Sequence, residues 1–199
     1  MSDAKLRELE RKWKESGSVE DEAAYLRERV RVGDLTQERL ELAAYCGHGA
    51  ASLALGTHMT AQYGPAWTSD LIKRYGKRSA IFLGIVAAEE LLPHLDSESA
   101  FHIQSLSRAG RSWVACPCVR HANSFMDASP WDNKVSDIVK EFAALPFWCP
   151  DAPDHPVATP EALAKLIDSF LSGRGLNEAH LREKAARQML EESIMGSHR

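Results

Sequence analysis

Apolar residues recur at helical spacing along most of the chain and are interrupted at short intervals by glycine, proline and capping residues. Four such stripes follow one another in residues 1–56, with breaks at Gly17, Gly33 and Gly47. Residues three and four apart share one face of a helix, so each stripe predicts a short amphipathic helix. Loops of about two to four residues return each helix against the preceding one. The sequence therefore predicts an all-α fold of short antiparallel helix pairs, arranged as a solenoid-like stack or an irregular bundle.

Several of these helix starts carry capping signals. Ser18 and Thr36 each stand in front of an apolar stripe, and Leu35 and Leu40 occupy the two positions of a hydrophobic staple around Thr36. The same staple-and-cap pattern returns near the end of the chain, at Leu176, Asn177 and Leu181. These signals predict where the helices begin.

The periodicity divides the chain into two parts. Gly64-Pro65 lies in a stretch with little helical pattern, which places a boundary within residues 57–67. We expect a helical-hairpin module over residues 1–56 and a helical domain over residues 57–199.

The second part contains the most apolar stripe, from Ile81 to Leu92, which predicts its central helix. Gly110 lies within the next stripe and predicts a close approach between helices, because a glycine inside a helix otherwise costs about 1 kcal/mol. A loop rich in proline is expected from Pro146 to Pro160.

Charge and hydropathy exclude several classes of protein. The formal net charge is −4 and the isoelectric point is near 6.1, which argues against general binding to nucleic acid or to anionic membranes. The longest apolar stretch, residues 80–95, is shorter than the roughly 20 residues of a membrane span and contains Glu89 and Glu90. The first residues lack a basic segment followed by an apolar one, so we expect no export and a cytoplasmic location.

The segment from Cys116 to His121 is the most specific local feature. The cysteines of a cytoplasmic chain are expected to be thiols rather than disulfides. If Pro117 occupies the first position of a helix, then Cys118 and His121 lie on one face, close to Cys116. Two thiols and one imidazole could bind zinc, which takes four ligands. A fourth ligand could come from Cys149 or His155.

Two other interpretations of this segment stay open. The spacing differs from the paired Cys-x2-Cys pattern of common zinc modules, and buried thiols are frequent in protein cores. In the structural interpretation, Cys118 and His121 pack against Phe125 without binding a metal. In the third interpretation, Cys116 lies at a helix N-terminus, where the helix dipole favours a reactive thiolate.

Glu89 and Glu90 interrupt the apolar central helix. Adjacent residues do not share a helix face, so the two carboxylates do not form a chelate. We expect one of them to be solvated or to pair with a basic residue, the candidates being Lys77, Arg78 and Arg108.

The sequence contains none of the phosphate-binding, dinucleotide-binding, zinc-protease or serine-hydrolase motifs, and we therefore predict that the chain is not an enzyme. Tryptophan is enriched at protein interfaces. Trp131 and Trp148 fall in predicted loops and are the candidates for contact with a partner, whereas the other tryptophans are expected in the core.

The stretch from Arg78 to Cys118 contains AIFLGIVAAEELLPHLD, a short acidic turn and SLSRAGRSWVACPC. It resembles an all-helical family of bacterial polymorphic-toxin immunity proteins, in which a helix ending near LPLF precedes an acidic loop and a helix of the type RRAIEAARAW. This chain has Asp96-Ser97-Glu98-Ser99 where that family has Asp-Asp-Arg-Pro-Arg. The resemblance implies inhibition of a cognate toxin by direct binding.

Residues 1–55 resemble short helical-repeat segments that precede diverse bacterial domains, and LAAYCGH within them resembles ankyrin repeats. Both resemblances imply protein binding. We thus expect an immunity or adaptor protein whose partner is another protein, such as a toxin, and which uses no cofactor. The alternative is a metal- or thiol-dependent enzyme, with zinc as the implied cofactor, centred on Cys116, Cys118 and His121.

Overall fold

The computed structural model describes residues 2–57, 65–130, 136–145, 160–171, 174 and 176–191. Within these ranges the chain forms eleven α-helices and one 3₁₀ turn, and no strand. The predicted all-α class is confirmed. The expected proline-rich loop, except for its last residue, lies outside the described residues, as do Trp131, Trp148, Cys149 and His155.

Contacts divide the described chain into two compact units. The first unit comprises residues 2–57 and 182–191, and the second comprises the described residues from 65 to 181. In this grouping residues 182–191 belong with the N-terminal helices, whereas the expected division placed them in the second part. These residues are apolar on one side, with Ala185, Ala186 and Met189 at most 1% exposed.

The first unit contains four consecutive short helices. They are α1 (Ser2–Ser16), α2 (Val19–Val32), α3 (Gln37–Tyr45) and α4 (Gly49–Leu55). Helix α1 packs on α2 and α3 packs on α4, while α2 also packs on α4.

Side-chain caps fix the starts of α2 and α3, as predicted. Ser18 Oγ accepts a hydrogen bond from the Asp21 amide at 3.1 Å, and Thr36 Oγ1 accepts one from the Arg39 amide at 3.3 Å. Helix α2 ends at Gly33, whose φ of 83° lies in the left-handed region.

The second unit holds the remaining helices. They are α5 (Pro65–Tyr75), α6 (Lys77–Leu91), the 3₁₀ turn Leu92–His94, α7 (Ser97–Ala115), α8 (Val119–Asp127), α9 (Asp137–Ala143), α10 (Pro160–Leu171) and α11 (Glu178–Glu191). Helix α11 contributes its first residues to this unit and the rest to the first unit. The predicted cap of α11 is present, because Asn177 Oδ1 accepts a hydrogen bond from the His180 amide at 3.1 Å.

Helix α6 is central to the second unit, as the sequence predicted. Every residue from Ser79 to Ala88 is buried, and α6 packs on α5, α7 and α10. The close approach expected at Gly110 is also present. A Cβ there would lie 2.8 Å from Ile85 Cδ1 and 2.9 Å from Phe125 Cζ, so only glycine fits without displacing a neighbour.

Glu89 pairs with a basic residue, as expected for one of the two carboxylates, but that residue is Arg111 and not one of the three candidates. Its carboxylate accepts two hydrogen bonds from Arg111, at 2.9 and 2.7 Å. Arg78, one of the expected partners, donates instead to the carbonyl of Val114 at the end of α7. Arg111 reaches Glu89 because α7 packs along α6, a relation that the local sequence does not contain.

None of the described helices is both long enough and apolar enough to cross a membrane.

Candidate functional site

Both cysteines of the candidate cluster lie in the short segment between α7 and α8. Cys116 caps the C-terminal end of α7, and its amide donates to the Ser112 carbonyl at 3.1 Å. Cys118 is the N-cap of α8, so Pro117 lies before the helix and does not occupy its first position. Proline disfavours helical backbone at the residue before it, which explains why Cys116 is extended and α7 stops at Ala115.

The structure brings Cys116, Cys118 and His121 together. One ligand atom from each residue, a sulfur or a ring nitrogen, lies within 4.8 Å of the other two. His121 Nδ1 also lies 2.8 Å from the carbonyl oxygen of Cys116. The cluster is thus formed by the first turn of α8, with its N-cap, together with the residue that precedes Pro117.

The two sides of α8 differ in burial. Ala122 and Phe125 are fully buried, whereas Cys116 is exposed and Cys118 and His121 keep part of their surface in solvent. The cluster is therefore reachable from solvent.

The expectation that Cys116 lies at a helix N-terminus was wrong. It is the C-cap of α7 and so follows the C-terminal end of that helix. His121 is the imidazole beside it, while His48 belongs to the first unit and His94 ends the 3₁₀ turn after α6.

A second cysteine and histidine, Cys46 and His48, flank Gly47 between α3 and α4. Cys46 is 1% exposed, and burial raises the pKa of its thiol to about 12. His48 is the N-cap of α4, and its Nδ1 accepts a hydrogen bond from the Ala51 amide at 3.3 Å. Burial lowers the pKa of His48 to about 4. These two residues are held in the interior of the first unit in neutral form at pH 7.

A cleft of about 290 Å³ opens in the first unit between α1, α2 and the end of α11. Trp13 and Tyr25 stack in it with ring centroids 5.4 Å apart, and the Arg29 guanidinium lies 5.7 Å from the Tyr25 ring centroid. The other side chains that line it are Glu10, Lys14, Glu22, Leu26, Arg187, Leu190 and Glu191.

The sequence assigned Trp13 to the apolar stripe of its helix and did not predict the cleft. Trp13 and Tyr25 lie on either side of the Gly17 turn, and a helical hairpin places them on facing helices. That pairing is the signal from which the contact between the two rings could have been predicted. The third wall comes from α11, which is distant in the chain, and no local pattern indicates it.

The last turn of α11 is tied to the N-terminal helices by two arginines. Arg29 donates to the Leu190 carbonyl at 2.8 Å, and Arg39, which is 7% exposed, donates to the Met189 carbonyl at 3.0 Å. Cations at a helix C-terminus satisfy its free carbonyls and complement its dipole.

Comparison of the chain with protein-family models, with curated protein sequences and with solved structures gave no match.

Proposed function

We propose that this chain is a helical protein-binding protein and that it holds its partner at the cleft of the first unit. The observation that carries the proposal is the composition of that cleft, in which a stacked Trp13–Tyr25 pair lies beside Arg29 and Arg187. Tryptophan, tyrosine and arginine are the residues that contribute most to binding energy at protein interfaces.

The size of the cleft supports a protein partner. Its volume of about 290 Å³ lies at the lower limit of small-molecule pockets, which span about 300–1,000 Å³. A space of that size accepts an apolar or aromatic side chain presented by a partner. Three carboxylates, those of Glu10, Glu22 and Glu191, line the cleft together with three basic side chains, those of Lys14, Arg29 and Arg187. This lining favours a partner segment that carries charges of both signs beside its apolar group.

We further propose that the chain is an immunity protein or an adaptor protein. As an immunity protein it would bind a toxin. The resemblance of residues 78–118 to immunity proteins and the net charge of −4 support it. An acidic protein is attracted to a basic partner before contact, which accelerates association.

Affinity capture with matched variants tests the protein-binding proposal. Trp13→Ala and Arg187→Glu change the cleft, while Phe101→Ala and Lys165→Glu make the same kinds of change on exposed side chains of the second unit. We expect one protein to be captured in stoichiometric amount by the unaltered chain. The two cleft variants should lose at least about 90% of it, since residues of this type contribute about 2 kcal/mol or more.

The melting temperature of each variant, followed by circular dichroism, shows whether it is folded. No stoichiometric partner, or equal losses in the cleft and control variants, would contradict the proposal. For the immunity role, co-production of the chain should restore growth of cells that produce the captured protein. Captured protein that is not toxic would favour an adaptor.

A second proposal is a metal- or thiol-dependent enzyme, and the convergence of Cys116, Cys118 and His121 favours it. Zinc-loaded chain should hydrolyse an activated ester faster than His121→Ala does. Equal rates in the two proteins would contradict this proposal.

A further inference from the structure

We propose that Cys116, Cys118 and His121 form a binding site for a thiophilic transition-metal ion, with zinc as the expected ion and a fourth coordination position open to solvent. This inference does not depend on the proposed protein-binding function, because the cluster and the cleft lie in different units. It rests on the placement of the three ligands, on the orientation of the imidazole and on the exposure of the cluster.

The three ligand atoms lie almost close enough together to be bound by one ion. Zinc binds thiolate sulfur at about 2.3 Å and imidazole nitrogen at about 2.0–2.1 Å, which sets two ligand atoms about 3.5–3.8 Å apart. In this chain the atoms lie within 4.8 Å of one another. The proposal requires rotation of the Cys116 and Cys118 side chains between staggered rotamers to close the difference of about 1 Å.

The backbone of the segment supports this geometry. Cys116 and Cys118 both have extended conformations, with φ of −140° and −143°, and Pro117 between them has a fixed φ. The two thiols are thus attached to a stiff segment that is anchored by a helix on each side. Fewer conformations are lost when an ion binds such a segment than when it binds a flexible loop.

The hydrogen bond of His121 leaves one ring nitrogen available to a metal. A carbonyl oxygen only accepts, so the bond between Nδ1 and the Cys116 carbonyl places the proton on Nδ1. In the neutral ring Nε2 then carries the free lone pair. Histidines that bind metals usually donate their other N–H to a carbonyl or carboxylate, which fixes the tautomer and the ring orientation.

The donor set selects the metal. Two thiolates and an imidazole favour zinc and other thiophilic ions over magnesium and calcium, which prefer oxygen ligands. Structural zinc sites are closed by four protein ligands, whereas sites with three protein ligands keep a water or another exchangeable group in the fourth position. The exposure of Cys116 and the partial exposure of the other two residues leave solvent access to that position.

Titration of the full chain with Co²⁺ tests the site. The protein is freed of metal, kept under a reductant that does not bind metal, and used without a histidine tag. We expect one Co²⁺ per chain, with thiolate-to-cobalt charge-transfer absorption and the intense visible bands of tetrahedral coordination. Added Zn²⁺ should displace the cobalt and remove both signals.

Variants of the three ligands show where the ion binds. Cys116→Ser, Cys118→Ser and His121→Ala should each weaken Co²⁺ binding by more than about 100-fold, which exceeds the loss expected for an outer-shell partner. His94→Ala removes an exposed imidazole outside the cluster and should leave the affinity unchanged. Unaltered melting temperatures in the metal-free state show that the variants are folded.

Specific outcomes would overturn the inference. Absence of charge-transfer absorption, or binding that Cys118→Ser does not weaken, excludes the site. A spectrum changed by Cys149→Ser, or one Co²⁺ shared by two chains, excludes the open fourth position. Loss of partner capture in the variants Trp13→Ala and Arg187→Glu bears on the proposed function alone, so the two proposals fail separately.

Discussion

Two cysteine–histidine segments within the described residues use the same residue types at a junction between helices but place them in opposite environments. Cys46 and His48 join α3 to α4 and are 1% and 2% exposed. Cys116 and His121 belong to the junction of α7 and α8, where Cys116 is exposed and His121 is half-buried. Side-chain chemistry alone therefore does not distinguish a structural pair from a candidate metal site.

The two imidazoles also carry their protons on different nitrogens. His48 Nδ1 accepts from a backbone amide, so the proton of the neutral ring is on Nε2. His121 Nδ1 faces a backbone carbonyl, so its proton is on Nδ1. In each case the nearest backbone group sets the tautomer, and of these two histidines only His121 belongs to a cluster with two thiols.

The largest expected difference between the two segments is in thiol reactivity. The thiolate is the reactive form, and the pKa of Cys46 is raised from 9.0 to about 12 by burial. In metal-free native protein, Cys116 and Cys118 should react with iodoacetamide at least about a thousandfold faster than Cys46. Mass spectrometry of the labelled peptides measures the rates. Labelling of Cys46 at a similar rate in the absence of denaturant would show that the first unit does not bury it.

The next largest effect is the pH dependence of stability at His48. Its pKa is lowered from the ordinary 6.5 to about 4, so below pH 6.5 the unfolded chain takes up a proton that the folded chain does not. Stability is then fully present above pH 6.5 and is lost as the pH falls towards 4. The free energy of unfolding should fall by about 2–3 kcal/mol between pH 7 and 4.5, as measured by urea denaturation.

The interpretation of that decrease depends on the groups around His48. They are Glu22 on α2, with Nε2 and Oε1 3.6 Å apart, and Glu183 and Arg187 on α11. The pKa of Glu28 is lowered from 4.5 to about 2 by its hydrogen bond with Arg31. Its contribution to the free energy of unfolding is therefore lost only as the pH falls below about 4.5, outside the range of this measurement. His48→Asn keeps a capping side chain and removes the titration. An unchanged pH dependence in this variant would assign the decrease to other groups.

A smaller effect is expected at Gly110, which lies beneath α8. Gly110→Ala should lower the free energy of unfolding by up to about 2 kcal/mol, because overpacking costs about 1–3 kcal/mol and the better helix propensity of alanine offsets about 1 kcal/mol. Gly49→Ala is the matched control, since its Cβ would meet only Val19 Cγ1, at 3.9 Å. Equal stability of the two variants would mean that α8 is not held against α7 as described.

The smallest expected effect is that of His121→Ala on the stability of metal-free protein. The side chain is half-buried and makes one hydrogen bond to a solvent-accessible segment, so the loss should be below about 1 kcal/mol. His48→Ala removes a buried cap and should cost about 1–3 kcal/mol. Thermal denaturation of both variants compares them, and a larger loss for His121→Ala would reverse the roles assigned to the two histidines.

Much of the fold followed from local patterns. The caps at Ser18, Thr36 and Asn177 and the glycine that ends α2 act within one or two helical turns, so the sequence contains all that they need. The close approach at Gly110 was predictable because glycine weakens a helix, a cost that tight packing against a neighbouring helix offsets. The partner of Glu89 was not predictable from the sequence, because several basic residues were compatible with the local pattern. Only the packing of α7 on α6 selected Arg111.

The sequence by itself determined an all-α chain, the positions of most helix ends and the residues able to form a thiol–imidazole cluster, because these depend on neighbours a few positions apart. Tertiary structure alone decided that Cys46 and His48 are buried while Cys116, Cys118 and His121 meet at the surface. It also decided that Trp13 and Tyr25 share a cleft with the end of α11. Burial and long-range contact depend on how distant helices pack, and that packing is a property of the whole chain.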